Sequence, residues 1–96
     1  MNLLIIVSTP GAAEILLPLA AACRRKGTQW GVFFTNDGVK ALANDDLNRA
    51  LGCARKTVVC EHSWARFMPG QECPQELGSQ TQNSMMVSDS DHVISL

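Results

Sequence analysis

"NLLIIVSTPG", residues 2–11, decides the fold. The strand expected over "NLLIIVS", residues 2–8, carries a continuous apolar run rather than an alternating one, the pattern of a parallel strand covered on both faces. Thr9 then offers an N-cap oxygen and Pro10 suits a first helical position, so the strand is expected to pass at once into a helix over residues 10–26. Gly27 closes that helix at C′. The same stretch resembles a secretion signal only superficially. No basic residue precedes the run, Pro10-Gly11 and Glu14 interrupt it, and cleavage would delete the best strand in the chain. Uninterrupted apolar stretches fall well short of the about 20 residues of a membrane span. The expectation is a cytoplasmic protein with no membrane partner, its Cys23, Cys53, Cys60 and Cys73 held reduced.

The pattern repeats downstream. "TQWGVFFT", residues 28–35, is a second strand, rich in aromatic and β-branched residues, and "NDGV" (36–39) is its turn. Apolar positions at 39, 42, 43, 47, 50 and 51 make a helical stripe that stops at Gly52. "KTVVC", 56–60, is a short third strand, followed by a brief helix over residues 63–68. Residues 69–78 show no periodicity and read as an irregular connection. Ser79 and Gln82 form a capping-box pair opening a helix to residue 90, and "HVISL", 92–96, is a closing strand. Strands alternating with helices imply a parallel sheet with right-handed crossovers. The fold class expected is a small flavodoxin-like α/β three-layer sandwich with a mostly parallel sheet of four to five strands, forming one domain over residues 1–96.

Composition agrees. The chain is 46% hydrophobic and 18% charged, a globular balance that excludes a wholly disordered protein. A formal net charge of −1 offers no phosphate-tracking surface. Arg24, Arg25 and Lys26 fall in the last turn of the first helix, where they oppose its dipole, so no nucleic-acid partner is expected. That helix has almost no polar face before Arg24, and a domain this small has few elements to cover it. A subunit interface is the expectation.

In an open parallel sheet, ligands collect at the carboxyl ends of the strands. Here that edge carries residues 8–11, 35–38 and 60–63, which puts Cys60 among them. A reactive cysteine must be ionised, so something must depress a pKa near about 8.5. The amides of a helix starting near Ser63, with positive charge from His62 and Arg66, would serve. Cys60 as a plain packing residue stands as the alternative. Cys73, in the irregular segment, folds back as a second thiol or is incidental. Cys60, His62 and Cys73 also offer soft zinc ligands, but without C-x-x-C or H-x-x-x-H spacing no metal site is assigned. "STPG" and "TNDG" lack both G-x-G-x-x-G and a Walker lysine, so no cofactor is assigned either.

Four segments, "LLIIVSTPG", "GVFFTNDGV", the strand-end cysteine of "VVC" and the closing "SDSDHVISL", make the chain resemble the DsrE/DsrF-like family, with its TusD-type sulfur-relay proteins. The resemblance implies assembly into homo-oligomers, trimers or hexamers. It also implies sulfurtransferase-type chemistry, in which the matched cysteine, Cys60, accepts sulfane sulfur as a persulfide and passes it on. Sulfur-donor and sulfur-acceptor proteins are then the partners. His62, Cys73, Asn36, Asp37, Ser63 and Arg66 are expected to line the site, joined by Ser79, Gln80 and Asn83 if the segment 69–78 folds back. The segment "EHSWARFMPG" after Cys60 departs from the alanine- and arginine-rich one common in the family. Two other readings stand: a non-catalytic interaction subunit, and a redox- or zinc-sensing module using Cys60, His62 and Cys73.

Overall fold

The apolar run near the N-terminus becomes an interior strand. In the computed structural model, which describes residues 1–96, Leu3–Val7 forms β1 and pairs in parallel with β2 (Trp30–Phe34) on one side and β5 (His92–Ser95) on the other. β3 (Lys56–Cys60) pairs with β2, and β4 (Glu76–Gly78) with β3. The sheet is wholly parallel, in the order β4-β3-β2-β1-β5. Successive strands are joined by α1 (Ala13–Lys26), α2 (Asp45–Leu51), α3 (Glu61–Phe67) and α4 (Gln80–Ser88). This is the flavodoxin-like α/β sandwich that the sequence led us to expect.

Connection handedness sorts the helices. From β1 to β4 each step moves to the adjacent strand in one direction, so right-handed crossovers place α1, α2 and α3 on one face. The return from β4 to β5 runs the opposite way and sends α4 to the other face. The packing follows. Ile5, Val7, Val32, Phe34 and Val59 point into the larger core with Leu16, Leu47 and Trp64. Their strand neighbours Leu4, Phe33, Val58 and Cys60 point the other way, against Met86 of α4. The larger cluster holds 17 buried residues and the smaller 5, so one layer of the sandwich is thin.

Local departures from expectation have local causes. Residues 10–12 form a 3₁₀ turn and α1 proper starts at Ala13; Thr9 is extended but makes no side-chain cap bond. Short 3₁₀ turns are common at helix starts, where the first amides have no partner. Gly27 closes α1 as expected, at φ 68° with its N–H directed to Arg24 and Cys23 carbonyls. The helix expected from Val39 breaks in two: a 3₁₀ segment, Asn36–Ala43, and α2. Asn44 divides them, because its side-chain oxygen accepts from the Leu47 N–H at 3.0 Å and caps α2. The apolar stripe survives the break, with Val39, Leu42, Leu47 and Leu51 all buried. The segment 69–78 is not wholly irregular, since it holds β4. Three residues are too few for a periodicity, but they satisfy the backbone groups along the open edge of β3. α3 starts at Glu61, two residues before the expected position.

Candidate functional site

β3 ends at Cys60, whose partner across the ladder is Gly78, the end of β4. Beyond Cys60 the chain turns into α3 on one face; beyond Gly78 it turns into α4 on the other. Two adjacent parallel strands whose connections diverge leave a crevice at their carboxyl ends, the switch point of an open α/β sheet. A cleft of about 260 Å³ opens there. Cys60 forms part of its floor. His62, Ser63, Arg66 and Phe67 of α3 make one wall, Thr35 and Asn36 beyond β2 another, and Gln80 at the head of α4 the third.

Glycine at 78 is dictated by this closeness, since a Cβ there would collide with Val58 and the Gln82 side chain. Gln82 needs that space, because its Oε1 accepts from the Ser79 N–H at 3.0 Å in the capping box of α4. The capping pair read from the sequence thus fixes where α4 begins, and with it where Gln80 stands.

Cys60 is only 3% exposed, less open than a thiol at an accessible rim. Its inner side packs with Leu4, Phe33, Val58 and Met86, while its outer side meets the cleft. Burial alone pushes the thiol pKa up. The Ser63 hydroxyl and amide, the Gln80 side chain and the His62 amide act against it, and together they hold the pKa below the ordinary cysteine value. Cys60 is the N-cap residue of α3, so the His62 and Ser63 amides lack helical acceptors and face the sulfur. The neutral thiol makes no regular cap bond with them, sulfur being a weak acceptor; the thiolate supplies what those donors lack. Ser63 is itself held, because its Oγ accepts from the Asn36 N–H at 2.8 Å. Asn36 makes that bond from a left-handed backbone, φ 52°, which asparagine tolerates better than most residues. With Oγ engaged as acceptor, the hydroxyl proton is available to Cys60.

The expected sources of ionisation need correction. His62 acts through its backbone amide, and neither its ring nor the Arg66 guanidinium is among the groups that depress the Cys60 pKa. Both side chains are exposed, and Arg66 lies over the Phe67 ring, 5.2 Å from its centroid. Asp37 does not line the cleft. Nor does Cys73, which packs against the larger core on the other face of the sheet. The Trp64 indole N–H donates to the Gln71 carbonyl at 2.7 Å, pinning the intervening loop to α3. Burial pushes the Cys73 thiol up, with the Gln75 amide opposing, and burial likewise raises Cys23. All four cysteines are free. Cys73 does not join Cys60 and His62 at the cleft, and no group of three or more His, Cys, Asp or Glu side chains suited to a metal ion occurs. The zinc-sensing alternative therefore loses its geometry. Ser79 and Asn83 stay outside the cleft, and only Gln80 of that group enters it.

No helix is long and apolar enough to cross a membrane. Neither a comparison with protein-family models nor a search of curated proteins finds a match.

Proposed function

We propose that the protein is a DsrE-like sulfur carrier, with Cys60 accepting and donating sulfane sulfur as a persulfide. One observation carries this reading: a strand-end cysteine at the switch-point cleft, ringed by donors that favour its thiolate. Sulfur transfer is chemistry a lone thiolate performs. The Cys60 thiolate attacks the outer sulfur of a donor persulfide, R–S–SH. A new S–S bond forms on Cys60, the donor's S–S bond breaks, and the donor leaves as RS⁻. An acceptor thiolate then attacks the outer sulfur in turn and returns Cys60 as thiolate. No electrons are gained or lost overall, so no redox cofactor is needed. Neutral hydrogen-bond donors suit such a site, because they stabilise the negative charge at each stage without trapping the sulfur.

Donor and acceptor are proteins with a cysteine presented on a protruding segment, since the sulfur lies beneath the surface. The family resemblance extends the proposal to a cytoplasmic trimer or hexamer. Ile15, Met85, Val93 and Ile94 are exposed apolar side chains that such an assembly would cover. Those same side chains favour a second reading, a subunit that binds partners without chemistry. Intact mass decides between them. After treatment with a persulfide donor the protein gains the mass of one sulfur, removable by cyanide or reductant and mapped to Cys60, and Cys60→Ser gains none. Loading of Cys60→Ser to the same extent would refute the relay.

A further inference from the structure

We propose that Gln80 is the gate of the Cys60 cleft and the residue that positions its thiolate: the carboxamide ties the head of α4 to Thr35 across the end of β3. The inference rests on the sulfur-carrier reading for its purpose, but not for its geometry. Gln80 Nε2 donates to Thr35 Oγ1 at 3.3 Å. Thr35 follows β2 and Gln80 follows β4, and β3 lies between those strands. With strands about 4.8 Å apart, a bond from one flank to the other must arch over the end of the middle strand. That end is Cys60. Gln80 is exposed and Cys60 is buried beneath it, which is the stacking of a cover over a floor.

The amide nitrogen carries two hydrogens. One engages Thr35, and the other is left for the sulfur below; Gln80 is indeed among the donors that favour the Cys60 thiolate. The carboxamide therefore does two opposed things. It stabilises the charge that makes Cys60 a nucleophile, and it obstructs whatever approaches. Its tie to Thr35 is long and solvent-exposed, so it opens readily. Helix capping does not depend on it, because Ser79 and Gln82 perform that task. Of the ionisable side chains near the sulfur, only His62 and Arg66 line the cleft; Glu61 of α3 and Glu76 of β4 do not.

Thiolate donor and gate in one residue give a distinctive pH signature. Iodoacetamide is the probe, and Cys60 labelling is followed by peptide mass in wild type, Gln80→Ala and Thr35→Val. At about pH 6, below the ordinary cysteine value of about 8.5, Gln80→Ala labels about three- to tenfold more slowly, having lost a donor to the thiolate. At alkaline pH, where every thiol is ionised, it labels faster than wild type because the cover is gone. The two profiles cross. Thr35→Val, which leaves α4 intact, shifts the profile in the same sense by less and keeps the proposal testable if Gln80→Ala folds poorly. A purely structural role would change the melting temperature and leave the profiles superimposed, which overturns the proposal. So does slower labelling at every pH, since it leaves no cover to remove. Sulfur loading by intact mass, measured separately, reports on the carrier reading: crossed profiles without loading keep the gate and remove the relay.

Discussion

Ser63→Ala isolates the cause of Cys60 ionisation. The substitution deletes a hydroxyl that faces the sulfur and leaves the Ser63 amide in place. It also deprives the Asn36 N–H of its acceptor in a part-buried bond, a loss that does not vary with pH. A hydrogen bond to a charged group contributes about 1.5–3 kcal/mol. The lower end applies, because water in the open cleft takes over part of the hydroxyl's role. In the pH range where Cys60 is only partly ionised, the thiolate fraction then falls about tenfold. The assay is the rate of iodoacetamide labelling against pH, with Cys60 resolved by peptide mass. Stability gives a second readout of known sign. The folded pKa of Cys60 lies below that of the unfolded thiol. Ionisation therefore stabilises the fold above the unfolded value and ceases to as pH falls through the folded one. The stability gap between wild type and Ser63→Ala should be widest in alkali and narrow as pH falls through that window. A variant whose labelling rate tracks wild type at every pH would refute this account of the thiolate.

Two further substitutions test the frame around the cleft. Asn44→Ala removes the cap of α2 and lowers stability by about 1 kcal/mol, read as a shift in the urea midpoint with no change in Cys60 labelling. Trp64→Phe keeps the ring in the larger core but loses the bond to the Gln71 carbonyl, at about 1 kcal/mol; Cys73 should then label faster, and an unchanged Cys73 rate would show that another contact holds the loop.

The strands were legible where their residues meet two cores. Leu3–Val7 and Trp30–Phe34 are covered on both faces, and unbroken apolar runs announce that. Position 60 was legible because it ends such a strand. Asn44 was also in plain view, a capping residue followed by Asp45 and Asp46, yet the apolar stripe on either side of it masked the break. β4 could not be seen, because Glu76–Gly78 carries no pattern of its own and exists through the edge it completes. The third wall of the cleft was legible only conditionally, in Gln80, for the same reason. Gln80 reaches Cys60 only because α4 starts beside β4 and crosses to the opposite face. Cys73 misled in the other direction: nearness in sequence to a loop beside the site said nothing about which side of the sheet it joins.

The neighbouring of β1 and β5 has a consequence for assembly of the molecule. Residues 3–6 and 92–95 lie side by side, so the sheet cannot be completed until residue 95 has emerged from the ribosome. β1 to β3, with α1 to α3, can condense before α4 and β5 are synthesised. During that interval the sulfur of residue 60 has two of its walls and lacks the third. A nascent or partly opened chain therefore presents this thiol to oxidants more freely than the finished protein does, and docking of α4 is the step that ends the exposure.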